Sequence, residues 1–162
     1  MSVLVACIGN IFQGDDAFGC EVASLLLRRD LSQDVSVIDF GIRGFDLTWA
    51  LVDAPDLTIL VDAVSRDGAP GTLYLIEPDP DEIDVENGHT IDAHSMDPVQ
   101  VLRAAKAFGG KLGRILLVGC EPADLGGEEG RMGLTPPVRA AIEEAATMVE
   151  FLVARELQGV SR

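Results

Sequence analysis

The run VLVACIGNIFQGDDAFG, residues Val3 to Gly19, decides the fold. Its first part, Val3 to Ile8, is a continuous apolar run, which is typical of a buried strand in a parallel sheet. Gly9 to Asp16 predicts a loop, and Ala17 to Arg29 then carries apolar residues at helical spacing, with Arg28 and Arg29 in the last turn. A strand, a loop and a helix in this order predict the first βα unit of an α/β fold.

The alternation of strands and helices continues along the chain. Val35–Phe40 and Leu57–Val64 predict strands around a short helix at Phe45–Val52, and right-handed crossovers make the first three strands parallel. Residues 65–71 are too few for a crossover helix, so Thr72–Ile76 predicts an antiparallel edge strand. Later patterns predict a solvated acidic loop at Pro78–Asp92, a helix at Pro98–Phe108, a buried strand at Arg114–Gly119 and a helix from Pro136 to about Glu156.

These elements predict one α/β domain, residues 1–162: a three-layer α/β/α sandwich around a mostly parallel, five-stranded mixed sheet. The net charge of −15 and the pI of about 4.3 disfavour nucleic acid and anionic membrane surfaces as partners. Three widely spaced cysteines without a C-x-x-C motif, and no signal-like segment, predict a cytoplasmic protein. We expect a monomer.

Two acids and a histidine stand out as a candidate metal site. Asp16 lies in the loop after the first strand, Asp62 ends the apolar run Thr58–Val61 of the third, and His94 lies in a loop before a helix. Because ligands bind where the carboxyl ends of parallel strands converge, these side chains could meet at one sheet edge. Two carboxylates and an imidazole suit a divalent transition metal with open positions. Each residue also has a structural explanation: helix capping for Asp16, loop N–H acceptance for Asp62 and a bystander role for His94.

Three other features of the sequence resemble familiar sites only in part. Gly9 to Gly14 has the outer spacing of a phosphate-binding loop, but Asp15-Asp16 replaces the Lys-Ser/Thr pair and would repel phosphate. Asp39 could mimic a ribose-binding acid, but the glycine fingerprint is missing. Cys120 follows a strand and is the only plausible reactive thiol, although nothing in the sequence lowers its pKa.

Several short motifs in one order resemble the nickel–iron hydrogenase maturation endopeptidases. They are Ile8–Gly19, Val61-Asp62-Ala63, Gly71-Thr72, His94-Ser95, Val118–Pro122 and Gly133–Pro136. The resemblance implies a cytoplasmic peptidase that removes a short C-terminal extension from the hydrogenase large subunit after nickel insertion. It implies that Asp16, Asp62 and His94 serve as the catalytic, metal-binding trio for nickel carried by the substrate, with no metal held at rest.

Two positions depart from the family pattern. Cys7 stands where a glycine is usual, and Asp39-Phe40-Gly41-Ile42 stands where many members read D-G-G-T, a segment that bears on substrate choice. The predicted partner is a nickel-loaded large-subunit precursor. The group that would accept a proton from the attacking water is left open between Asp15 and Asp39. Two alternatives also remain: a nucleotide-binding Rossmann-like module, and a nickel-sensing or chaperone-like binder without hydrolysis.

Overall fold

The fold is described from a computed structural model covering residues 1–82 and 97–160. Five strands in this part of the chain form one sheet in the order β2-β1-β3-β5-β4. Strands β1, β2, β3 and β5 are parallel, and β4 pairs antiparallel with β5 at the edge, which confirms the predicted sheet. The strands are β1 (Val3–Ile8), β2 (Val35–Gly41), β3 (Leu57–Ala63), β4 (Leu73–Ile76) and β5 (Arg114–Cys120).

Four helices cover the sheet in the described residues: α1 (Phe18–Leu26), α2 (Gly44–Val52), α3 (Pro98–Ala107) and α4 (Pro136–Val160). Side chains alternate across a strand, so neighbouring residues of β1 enter different cores. Val5 of β1 packs in a core with α1 and α4, whereas Ala6 packs in a second core with α2 and α3. The predicted three-layer α/β/α sandwich is therefore confirmed.

The boundaries of α1 correct the sequence-based interpretation. Gly14–Ala17 forms a 3₁₀ turn, so α1 begins at Phe18 and ends at Leu26. Arg28 and Arg29 consequently lie beyond the helix instead of in its last turn. Their side chains have tertiary and local partners, because Arg29 pairs with Glu150 of α4 at 2.8 Å and Arg28 donates to the Ser24 carbonyl. The ion pair with Glu150 of α4, and not the helix dipole, therefore explains the position of the Arg29 side chain.

The predicted acidic loop after β4 is described only at its start, where Pro80–Glu82 forms a 3₁₀ turn. A short turn of this kind is common between larger elements. The remainder of the predicted loop, together with His89 and His94, lies outside the described residues.

Candidate active site

The strand order creates a crevice at the carboxyl ends of β1 and β3. The chain leaves β1 through α1 on one face of the sheet and reaches β3 through α2 on the other face, so these neighbouring strands form the switch point where open α/β sheets bind ligands. Asp16 lies in the turn after β1, and Asp62 is the penultimate residue of β3. The sheet therefore brings these two predicted residues to the same crevice.

Asp62 is an acid in an apolar setting. It is only 6% exposed, and its Oδ1 accepts a hydrogen bond from the Ala63 N–H at 2.9 Å. Burial raises the pKa of Asp62 well above its usual range, and the nearby charges of Asp16 and Asp97 raise it further. A carboxylate that is costly to ionise on its own is stabilised in its charged form when a cation binds next to it. Asp62 is therefore suited to bind a positively charged centre.

Asp16 is held by its own loop. Its Oδ2 accepts the Asn10 N–H at 3.0 Å, and burial raises its pKa despite that bond. The close approach of the loop depends on Gly9, since a Cβ there would lie 2.1 Å from the Asp16 carbonyl oxygen. Neither the 3₁₀ turn nor α1 has a side-chain N-cap hydrogen bond, so Asp16 does not cap the helix. Its second carboxylate oxygen accepts no hydrogen bond from residues 1–82 or 97–160.

His94, the third predicted member, lies outside the described residues, so the complete trio stays a prediction. Within residues 1–82 and 97–160, no group of three His, Cys, Asp or Glu side chains is arranged to hold a metal ion. Asp97 comes three residues after His94 in the chain and directly before α3. It caps α3 by accepting the Val99 N–H at 3.0 Å, and its charge acts on Asp62. Sequence reasoning did not single out Asp97, although an Asp before Pro98 is a strong capping signal.

A groove with a volume of about 330 Å³ runs between the loops that follow β1 and β2. Asp39 lies in it, exposed, with Oδ1 accepting the Gly41 N–H at 2.9 Å. The apolar side chains of Ile11, Phe12 and Ile42 line the groove and are themselves about half exposed. An open groove with an apolar lining and one acid beside the crevice could hold an extended peptide.

Asp15 has a different role from its neighbour. Its side chain is fully buried and accepts four hydrogen bonds: from the N–H groups of Ala123, Asp124 and Thr135, and from the Thr135 hydroxyl. Burial alone would raise the pKa of Asp15, but these bonds outweigh burial and hold it below its usual value. A carboxylate surrounded by donors is a poor proton acceptor, which leaves Asp39 as the better candidate of the two.

Glu121 is a buried acid that sequence reasoning missed. It is 3% exposed, and its carboxylate accepts the N–H groups of Arg66 and Gly68, which fixes the loop between β3 and β4. Its position directly after a strand and before Pro122 was the available signal, because acids at such points often organise neighbouring loops.

Cys120 is not a reactive thiol in this structure. It is fully buried at the end of β5, and burial, with the charges of Asp15 and Glu121, raises its pKa to about 12. Cys7 and Cys20 are also buried and free, and burial raises the pKa of each. Since the thiolate is the nucleophile, nucleophilic catalysis by cysteine is disfavoured.

We therefore expect no rapid thiol labelling of the native protein. With a chromogenic disulfide reagent at pH 8, the folded chain should release less than one equivalent in the time that free cysteine reacts fully. Unfolding in guanidinium chloride should expose all three cysteines and give three equivalents. A fast first equivalent from the native protein, assigned to Cys120 by a Cys120→Ser variant, would contradict the burial described above.

The fold and the site define a class of open α/β domain with paired acids at the sheet switch point. The model of the hydrogenase maturation protease family matches residues 20–151. A putative hydrogenase maturation protease of Methanocaldococcus jannaschii is 32% identical over 91% of this chain and 93% of its own length. The hydrogenase 2 maturation protease of Escherichia coli is 32% identical over 92% of this chain and 88% of its own length.

Solved structures agree with the sequence comparisons. The hydrogenase maturating endopeptidase HybD of Escherichia coli superposes with a TM-score of 0.77 at 30% identity, covering 96% of this chain and 94% of its own. The solution structure of an endopeptidase from Escherichia coli gives a TM-score of 0.75 at 33% identity, covering 92% and 90%. The chain belongs to the hydrogenase maturation protease family.

Membership of this family confirms the predicted resemblance and the assignment as a peptidase. It favours hydrolysis over the alternative of a nucleotide-binding module. In the described part of the chain, no helix combines the length and the apolar character needed to cross a membrane.

Proposed function

We propose that this peptidase removes a C-terminal extension from the large-subunit precursor of a nickel–iron hydrogenase, and that it recognises the precursor through nickel the precursor already holds. The placement of Asp16 and Asp62 at the switch point between β1 and β3 carries the proposal. Asp62 is buried without a cationic partner among the described residues. A nickel ion delivered by the substrate supplies the missing positive charge.

The proposed ligands are Asp16, Asp62 and His94. Carboxylate and imidazole are suitable ligands for a divalent transition metal, and three protein ligands leave positions for groups from the precursor. Docking of the nickel would place the peptide segment that follows the metal site along the groove lined by Ile11, Phe12 and Ile42. Binding and orientation are the main contributions of the chain in this scheme.

The reaction itself is hydrolysis. The oxygen of a water molecule bonds to the carbonyl carbon of the scissile peptide, the C–N bond breaks, and the departing amine takes up a proton. Asp39 borders the groove and is exposed, so it is our candidate for accepting the proton of the attacking water. We place the reaction in the cytoplasm and expect the enzyme to act as a monomer.

The experiment compares two preparations of the same precursor, one loaded with nickel and one made without nickel. We expect the purified protein to shorten only the loaded precursor, with one new C-terminus by mass spectrometry. Equal cleavage of both preparations would overturn recognition through nickel. Binding of the loaded precursor without shortening would instead favour the alternative of a non-hydrolytic nickel-sensing or chaperone-like binder.

A further inference from the structure

The buried carboxylate of Asp15 joins two distant loops. Its Oδ1 accepts the Thr135 N–H at 2.7 Å, while Oδ2 accepts the Thr135 hydroxyl at 2.8 Å and the Ala123 and Asp124 N–H groups at 2.8 and 3.0 Å. The partners lie 108 to 120 residues away in the chain, in the connection from β5 to α4. Hydrogen bonds to an ionised acceptor are the strong ones, so this is a firm attachment.

Backbone contacts extend the same attachment. The Asp15 N–H donates to the Asp124 carbonyl at 2.8 Å, and the Gly14 N–H donates to the Arg131 carbonyl at 2.8 Å. The Arg131 N–H donates in turn to the Phe12 carbonyl at 2.9 Å. Gly14 has a φ of +57°, and a Cβ there would lie 2.4 Å from the Asp124 carbonyl oxygen, so the approach requires glycine.

The Asp16 side chain takes no part in this attachment, although it directly follows Asp15. Among the described residues, its carboxylate accepts a hydrogen bond only from the Asn10 N–H, and its charge acts on Asp62. The 3₁₀ turn Gly14–Ala17 thus places one acid inward as an anchor and the next toward the crevice. Movement of the anchor would move the neighbouring Cα of Asp16 with it, because consecutive Cα atoms are linked rigidly at about 3.8 Å.

We propose that Asp15 is a positioning residue for peptide cleavage: its buried carboxylate, bound to Thr135 and the loop after β5, sets where the Asp16 carboxylate stands in the crevice. The inference rests on the proposed function, in which Asp16 meets the substrate. Residues that hold a functional side chain in place affect the reaction, because displacing such a side chain by about 1 Å can lower the rate roughly a hundredfold.

The decisive variant is Asp15→Asn. The amide nitrogen of Asn would face the Thr135 N–H if it took the place of Oδ1, and the Ala123 and Asp124 N–H groups if it took the place of Oδ2. A backbone N–H cannot accept a hydrogen bond, so either orientation sets donor against donor. We expect the single-turnover cleavage rate at saturating enzyme to fall roughly 10- to 100-fold, as loss of hydrogen bonds to a charged group implies. The control is Asp34→Asn, which removes an exposed acid before β2, at the opposite end of the sheet, and should leave the rate unchanged.

Two milder variants test whether a loss of activity reflects only a loss of folding. Thr135→Val removes the hydroxyl donor but keeps the backbone N–H, and we expect a rate loss of roughly tenfold. Thr135→Ser restores the hydroxyl and should recover most of that loss. All rates are measured below the unfolding transition of each variant.

The second readout is the Asn10 amide signal in ¹⁵N-labelled protein, because that N–H donates to Asp16. We expect the signal to shift in Asp15→Asn and in Thr135→Val. A folded variant that is less stable but keeps both the wild-type rate and the wild-type Asn10 signal would overturn the positioning role. The Asp16→Asn variant separates the two proposals: wild-type cleavage by it would refute the proposed site, whereas its inactivity beside a fully active Asp15→Asn would refute only the inference.

Discussion

Asp62→Asn is expected to stabilise the protein at neutral pH while lowering cleavage of the nickel-loaded precursor at least a hundredfold. The loss of activity follows from the proposed role of Asp62 as a charged ligand. Removing even an outer partner of a metal ligand typically costs roughly 10- to 100-fold. An amide oxygen keeps the hydrogen bond from the Ala63 N–H, so the local fold should persist.

The gain in stability follows from the pKa of Asp62, which burial and the charge of Asp16 raise well above its usual range. The folded protein therefore holds this proton more tightly than the unfolded chain. The contribution of Asp62 to stability is present below its unfolded pKa and is lost as the pH rises through its folded pKa. Above the unfolded pKa, folding must therefore either bury the charge of Asp62 or take up a proton, and both cost free energy. Asn is neutral in both states and removes that cost. We expect the free energy of unfolding to rise by roughly 1 kcal/mol.

Urea unfolding at pH 5.5 and pH 8 measures this effect without approaching the pI of about 4.3. The stabilisation by Asp62→Asn should be larger at pH 8 than at pH 5.5. The exposed control Asp34→Asn should show neither the gain nor the loss of cleavage. If Asp62→Asn destabilises the protein at pH 8, the carboxylate has a stabilising partner in solution and the assignment of an uncompensated acid is wrong.

Gly19→Ala is expected to lower the free energy of unfolding by about 3 kcal/mol, the upper range for overpacking. Gly19 lies in the first turn of α1, where the helix meets the ends of β1 and β3. A Cβ there would lie 2.1 Å from the Ile8 carbonyl oxygen and 2.5 Å from the Val61 carbonyl oxygen. Backbone atoms cannot rotate away as a side chain does, so α1 would have to shift from the sheet.

The expected loss of stability is opposite to what helix propensity predicts for glycine to alanine. A loss would therefore be specific to the close contact between α1 and the sheet. Alanine in place of glycine within an open helix stabilises by up to about 1 kcal/mol. Gly159→Ala in the last turn of α4 is the matched control, because outside its own helical turn no atom of the described residues lies within 4 Å of the added Cβ, and it should be neutral or stabilising. Chemical denaturation of both variants checks the pair. Equal stability of Gly19→Ala and the wild type would show that α1 stands farther from β1 and β3 than described.

The sheet was predictable because its strands are marked by composition. The continuous apolar runs of β1, β3 and β5 indicate burial on both faces, and the short link before β4 forces an antiparallel edge strand. The end of α1 was less predictable, since helix propensity continues past Leu26 and a tertiary pair with Glu150 accounts for Arg29. Local patterns locate elements better than they locate element ends.

The chain's residues by themselves determined that Asp16 and Asp62 lie at or just after the carboxyl ends of parallel strands, and strand direction then brings both to one edge of the sheet. They did not show which of the adjacent acids Asp15 and Asp16 would be buried, because two neighbouring acids in a loop have the same local chemistry. Only the tertiary structure decided that Asp15 is buried against Thr135 while Asp16 faces the crevice. Burial and hydrogen bonding to residues more than a hundred positions away set the role of a charged side chain, and local sequence carries no record of those partners.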